Sequence, residues 1–348
     1  MTLPTSGSIS ASQIRDEFGP TTESGEQVAL GEYRIDENYG ELTERRLDDG
    51  IPGPGNSISF QDFRGKKLNI IIDYYSSKYA DYTRESEGEE MNIRDRFTGG
   101  AEVHVVGGFK SKPSSSSEIK TIVHVNRKLG GEKSSDATRC ALRTGTGWEA
   151  DTEMIIDVGN EGRIYGAGGN GGRGGDMDAS GDNGQTGTSG LGIQISGVVV
   201  NVASQGVIRA GFGGGGGGGN GRQEDKNADR RAGGGGGGGG QGFPAGSGGA
   251  AGNGNNNANG SAGTAGSLNE SGEGGGGSQN ASQAYGAAGG EGGQFNENAN
   301  DGGAAQHGKG EGGGNGAAIR RASGISGTEI NKASGAEVDG SQNASGVS

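Results

Sequence analysis

Two histidines, His104 and His124, lie in segments that partly alternate as half-buried strands do, where they could face each other and hold a metal ion. No third ligand accompanies them, so the pair reads as ordinary strand histidines. Cys140 is the only cysteine, which excludes an internal disulfide framework and a thiolate metal site. Gly171–Asp178 approaches the Gly-Gly-x-Gly-x-Asp-x-apolar unit of calcium-binding β-rolls, but Asp178 stands where the apolar residue belongs and no second copy follows. Gly-x-Gly-x-x-Gly matches recur by chance in so glycine-rich a tract, and none has the βαβ context of a dinucleotide site. No Walker motif is present. Among 43 acidic residues no hydrolytic carboxylate pair can be singled out, so a depolymerase is unsupported. Chemistry of this kind predicts no enzyme, no cofactor and no metal centre.

The elements that carry these residues fall into two compositions. Before Gly159 the chain is rich in β-formers and holds every proline except Pro244; beyond it most of the 83 glycines accumulate. A net charge of −13 argues against a nucleic-acid partner. No apolar stretch is long enough for membrane insertion, and Met1-Thr2-Leu3-Pro4 lacks the basic-then-apolar character of an export signal.

Residues 1–67 contain an internal echo. Ser8-Ile9-Ser10-Ala11-Ser12-Gln13-Ile14-Arg15 reappears as Ser57-Ile58-Ser59-Phe60-Gln61-Asp62-Phe63-Arg64. Each copy predicts a short helix capped by serine, with Gln13 or Asp62 reaching back and Ile9 or Ile58 clasping the first turn. Gly19-Pro20 and Gly65 would end them. The segment is either a local subdomain or a docking peptide ordered by a larger assembly. Residues 68–158 read as a small antiparallel β-sandwich, with strands near 68–75, 102–106, 119–125, 138–144 and 154–158 and Trp148 in its core.

The tail, residues 159–340, contains two unbroken runs of seven and eight glycines, Gly213–Gly219 and Gly233–Gly240. Without side chains such runs have no apolar face to bury, so they are disordered or held by their own backbone. Collagen is excluded by the missing every-third-residue period and the scarce proline. The reading that fits is a slab of packed polyglycine II helices, each about 3.1 Å per residue, with every peptide group bonded to a neighbour. Further struts are expected at 166–175, 211–219, 246–254, 272–277, 286–293 and 308–316. Polar inserts at 220–232, 253–270, 278–285 and 294–301 read as binding loops on a rigid frame. The sparse aromatics Phe212, Phe243, Tyr285 and Phe295 either plug that frame or touch a ligand. Val158, Gly162, Ile164 and Gly166 are echoed by Val202, Gly206, Ile208 and Gly211, and more loosely by Ile330, Gly335, Val338 and Gly340. These segments are expected to anchor the frame at one end. Residues 341–348 form a short C-terminal tail.

The order Ile164-Tyr165-Gly166-Ala167-Gly168-Gly169-Asn170-Gly171-Gly172, a Val-rich strand, long glycine runs and then Ala318-Ile319-Arg320 resembles the polyglycine-sandwich adhesins of bacteriophage long tail fibres over roughly residues 150–340. The N-terminal pair of motifs is similar to segments of marine phage virion proteins, cyanophages especially. The resemblance implies a virion protein of the tail or fibre, assembled in the host cytoplasm, that contacts a bacterial outer-surface receptor, protein or glycan. Its contact loops would carry Arg222, Gln223, Glu224, Asp225, Lys226, Phe243, Asn255, Asn256, Asn257, Tyr285, Phe295 and Asn296. Ile9, Ile14, Phe18, Ile58, Phe60 and Phe63 would attach it to other tail or fibre proteins, as a homotrimer or as a single cap. The alternative is a structural tail, baseplate or decoration protein that uses the slab as a rigid spacer. A disordered RNA-binding reading lacks the arginine-glycine repeats and has the wrong charge.

Overall fold

In the computed structural model, residues 2–19, 29–33, 37–39, 42–45, 48, 50–53, 55–74, 82–83, 91–99, 103–105, 111–225, 228–280 and 284–347 are described. Both N-terminal turns form. In helix α1 (Ala11–Phe18) the Gln13 backbone N–H donates to Ser10 Oγ at 3.2 Å, and the Ser10 N–H donates to Gln13 Oε1 at 2.8 Å. At the second copy the Ser59 N–H donates to the Asp62 carboxylate at 2.7 Å, across a single 3-10 turn, Phe60–Phe63, instead of an α-helix. Phe18, Tyr33 and Phe63 pack as an aromatic triangle with centroid separations of 5.8, 6.0 and 6.2 Å. Ile14, Phe18 and Phe63 are fully buried in the chain's own core, so they hold the segment to its own fold and offer nothing to an attachment partner. Of the six attachment candidates Phe60 is exposed and Ile9 and Ile58 are half-buried. The buried Glu17 carboxylate accepts the Leu68 N–H at 3.0 Å and so ties this cap to the first long strand.

A small antiparallel pair, β1 (Glu37–Tyr39) and β2 (Leu42–Arg45), precedes the main body. That body is a three-sided parallel β-solenoid. Its first coil holds β3 (Leu68–Tyr74), β4 (Tyr82–Thr83), helix α2 (Ile93–Gly99) and the edge strand β5 (Val103–Val105). The second is β6 (Ile119–Val125), β7 (Lys128–Gly130) and β8 (Cys140–Arg143); the third is β9 (Glu153–Val158), β10 (Arg163–Tyr165) and β11 (Ser189–Ile193). The fourth begins with β12 (Val199–Val202) and β13 (Val207–Arg209). It closes only at β18 (Ile319–Arg321), after an excursion carrying the hairpins β14 (Gly221–Asp225)/β15 (Ala228–Ala232) and β16 (Gln279–Asn280)/β17 (Ala284–Tyr285). A last coil, β19 (Glu329–Lys332), β20 (Glu337–Asp339) and β21 (Ala344–Ser345), ends the stack.

Like strands stack in register on each side: β19-β12-β9-β6-β3-β5, β20-β13-β10-β7-β4 and β21-β18-β11-β8. Apolar residues line up inward in columns, Ile72–Val123–Ile156–Val200–Ile330 on the first side and Leu129–Ile164–Ile208–Val338 on the second. Leu142, Leu191 and Ile319 form the third column, and all three feed one core. Among the described residues of the 68–158 segment, antiparallel pairing is confined to β3–β5 and the other strand pairs are parallel, which corrects the expected sandwich. Nor does residue 158 bound a domain, because each side takes strands from both halves of the chain. Trp148 is half-buried and packs against the core from its edge, with its ring centroid 5.3 Å from that of Phe97. His104 pairs with Ile71 and His124 with Asp73, so the two histidines do not meet, and no metal-holding group exists among the described residues. The structural counterpart of Val158 and Val202 in the last coil is Lys332, two residues on from the expected Ile330.

The glycine-rich chain leaves the solenoid at one corner, between the second and third sides, first over 166–188 and then over 210–318. There it runs as extended struts that bond sideways with a period of three, the repeat that polyglycine II packing requires. Gly214 and Gly217 donate to Gln185 and Asp182, Gly215 and Gly218 to Gly238 and Gly235, and Gly216 and Gly219 to Asn300 and Gly303, at 2.8–3.0 Å. Their carbonyls receive N–H groups from three further segments, at Gly172 and Gly175, at Ala287 and Gly290, and at Gly310 and Gly313. Gly233–Gly240 is enclosed in the same way, so each unbroken run is a strut with neighbours on six sides. The expected struts are joined by 181–188, 260–266 and 298–303.

A Cβ on Gly216 would lie 2.2 Å from the Gly310 carbonyl oxygen, whereas one on Gly276 meets only Ser261 Oγ at 3.5 Å. Gly216→Ala is therefore expected to cost about 3 kcal/mol or more, and Gly276→Ala to stay within about 0.5 kcal/mol of the parent, in denaturant unfolding of the purified chain. Equal effects would contradict the enclosed strut. Phe63→Ala should cost about 3–5 kcal/mol in the same measurement, as for a buried core aromatic.

Candidate functional site

The struts alternate in direction, so their connections gather at two opposite ends. The end beside the solenoid carries the turns at 241–245, 267–271 and 294–297; the far end carries 176–180, 220–232, 253–259, 278–285 and 304–307. Each far-end connection begins where glycine gives way to residues with side chains. Those residues bond to one another across the gaps between connections.

Asn255 and Asn280 sit at the centre. The Arg231 N–H donates to Asn255 Oδ1 at 2.9 Å, and Asn255 Nδ2 donates to the Asp229 carbonyl at 2.6 Å. Asn280, buried, donates through Nδ2 to the carbonyls of Arg231 and Asn255, each at 3.0 Å. Three connections are thereby tied together. The first joins them through charge: Asp178 pairs with Arg222 at 3.5 Å and with Arg231, while Asp229 pairs with the same two arginines at 3.3 and 2.6 Å. Asp176 accepts the Asn253 N–H at 2.7 Å and pairs with Arg173 at 2.5 Å. Asn220 Nδ2 donates to the Met177 carbonyl at 2.6 Å, and the His307 N–H donates to the Asn220 carbonyl at 3.3 Å, which draws in the last connection.

The result is a polar surface whose groups are already positioned, with Met177 and Tyr285 standing out of it at 42% and 56% exposure. Asn256 and Asn257 adopt left-handed backbone (φ 53° and 62°), which asparagine tolerates better than most residues, and both are exposed. Arg222 and Arg231 face carboxylates of their own chain, so their charge is paired within it. Among the described residues at this end no nucleophile is paired with a base. What the arrangement can do is hold a partner by shape, hydrogen bonds and two exposed apolar side chains.

Arg222, Gln223, Glu224 and Asp225 lie on β14 at this end, as do Asn255, Asn256, Asn257 and Tyr285; Lys226 lies outside the described residues. Three of the expected contact residues lie elsewhere. Phe243 packs at the solenoid end, with its N–H bonded to the Gly166 carbonyl at 2.9 Å and Lys128 Nζ 4.4 Å from its ring. Phe295 and Asn296 occupy the 294–297 turn at that same end, where the Phe295 N–H donates to Gln241 Oε1 at 2.9 Å. Sequence reasoning missed Met177, Asp178 and Asn280. Asp178 had left a trace, as the residue that spoils the calcium motif; its carboxylate serves the arginines instead.

A family model described as phage tail fibre adhesin Gp38 matches residues 97–346, and the chain belongs to that family. Among solved structures it is similar to the crystal structure of the gp37-gp38 adhesin tip complex of the bacteriophage S16 long tail fiber. That likeness has 17% identity and a TM-score of 0.35, covering 84% of this chain and 90% of that one. No curated protein matches.

The hydrogen bond and charge of Arg231 hold the Asp229 carboxyl below the usual range. A carboxyl depressed on folding stabilises fully above its unfolded pKa, and that contribution is lost as pH falls through the depressed value. Arg231→Gln should move the Asp229 midpoint upward in a carboxyl-resolved NMR titration; an unmoved midpoint would mean the pair does not form.

Proposed function

We propose that the far end of the slab is the surface through which this tail fibre adhesin contacts the bacterial host. The observation that carries the reading is the mutual bonding of the far-end connections through Asn255, Asn280 and Asp178. A contact loop that must be ordered on binding costs conformational entropy. Here that cost is met during folding, because rigid struts deliver each connection and its neighbours hold it. Exposed Met177 and Tyr285 supply the apolar anchors around which such a surface gains affinity. The receptor is a bacterial outer-surface protein or glycan.

The N-terminal part, with exposed Phe60 and half-buried Ile9 and Ile58, joins other fibre proteins, at the end of the molecule capped by α1. The protein acts by binding alone, without catalysis, as a component of the virion built during assembly in the host cell.

Met177→Ser combined with Tyr285→Ala in the phage should slow adsorption about tenfold or more, with particle yield and protein content unchanged. Normal adsorption by such particles would refute the far-end reading. Phe60→Asp should instead give particles depleted of this protein, measured by quantitative blotting of purified virions.

A further inference from the structure

The outer face of the solenoid's second side carries a groove that the adhesive surface does not use. It has a volume of about 440 Å³ and runs across β10, β13 and β20, with Asn269 of the 267–271 turn bordering it from the slab. Its size lies within the range of small-molecule pockets, and it sits where two structural units meet, a preferred place for such pockets.

The groups around it divide into those already satisfied and those that are not. Arg209 is held: its guanidinium donates to Asp339 at 2.8 Å and to Glu337 at 2.9 Å, and it lies 5.6 Å from the centroid of the Tyr165 ring. Among the described residues Arg163 donates only to backbone carbonyls, of Asn160 and Gly162, through one of its terminal nitrogens. The side-chain amides of Gln205 and Asn269 and the Tyr165 hydroxyl make no hydrogen bond with the described residues. Burial pushes the Tyr165 phenol up, so it stays an un-ionised donor and acceptor. Two arginines face two carboxylates, which leaves the groove close to neutral.

Planar amides, a guanidinium edge, a phenol and a carboxylate around an open, near-neutral groove match the alternating donors and acceptors of sugar hydroxyls. Val207, nearly buried, adds a small aliphatic patch to the floor. We infer that this groove is a second binding site, for a neutral saccharide unit, at the opposite end of the slab from the receptor-contact surface. A carboxylated sugar gains no net attraction there, because Glu337 and Asp339 balance the two arginines.

The test is saturation-transfer NMR and calorimetry on the full chain with methyl glycosides of glucose, galactose, mannose and N-acetylglucosamine. N-acetylneuraminic acid serves as the charged comparison. At least one neutral glycoside should bind, and Gln205→Ala and Asn269→Ala should each weaken it about tenfold with an unchanged Tm. These exposed side chains make no hydrogen bond with the described residues, so their removal leaves the protein intact. Absence of binding by all four glycosides, binding unaffected by both variants, or binding of the acidic sugar alone would each overturn the inference. None of these outcomes bears on adsorption by the far-end variants, so the two readings stand or fall separately.

Discussion

The sideways bond between peptide groups of neighbouring struts is the interaction on which the molecule depends. Ordering a residue costs about 1–2 kcal/mol, and glycine loses more freedom than any other. A net hydrogen bond returns only about 1 kcal/mol. The balance closes when both the N–H and the C=O of every residue find partners and the chains approach closely enough for dispersion to add. Gly213–Gly219 and Gly233–Gly240 meet that condition on every side, which is why neither run admits a single side chain. Peripheral struts need glycine only where they face inward. In 181–188 the inward positions are Gly181, Gly184 and Gly187, each directed at a carbonyl of the 211–219 strut; in 260–266 they are Gly260, Gly263 and Gly266, directed at the second run.

Such a lattice needs a starting plane, and the solenoid supplies it. Strands β10, β11, β13 and β18 lie at fixed neighbouring positions in their ladders, so the chain enters and leaves the slab at set spacings. Gly166 donates to Arg209 and Gly211 to Thr188, which carries the strand register directly into the first layer of struts. The core below the slab is ordinary aliphatic packing. Two kinds of order, one driven by burial and one by backbone pairing, thus share a single register.

Local chemistry was legible in the sequence and long-range pairing was not. The capping motifs at Ser10 and Ser59 were readable because every group involved lies within three residues. The composition of the two runs was enough to suggest sideways bonding. The sandwich expectation failed because alternation reveals a half-buried strand without revealing its partner's direction, and β12 finds β19 only after the whole glycine excursion. Phe243, Phe295 and Asn296 emerge at the opposite end from the other expected contact residues for a related reason. Strut 260–266 has glycine at every third position, so 253–270 looked like one loop, when it is a far-end connection, a strut and a solenoid-end turn. Each unseen strut reverses the end at which the following loop emerges. At the far end, Asn255 and the 278–285 insert stood out as polar interruptions, but the bonding that unites them belongs to the folded lattice alone.

The late return of the chain at β18 has a kinetic consequence. Strands β18, β19 and β20 extend the ladders beyond β11, β12 and β13, and they cannot be delivered until the intervening segment has compacted enough to bring residue 316 back beside Gly211. A ribosome-bound chain therefore exposes the ladder edges of β11, β12 and β13 throughout synthesis of the slab, and its final turn acts as a clasp that closes last. Loop closure of this length slows folding far more than it weakens the finished state. Once shut, opening the clasp means breaking parallel ladders on all three sides together, which favours a protein slow to mature and slow to come apart.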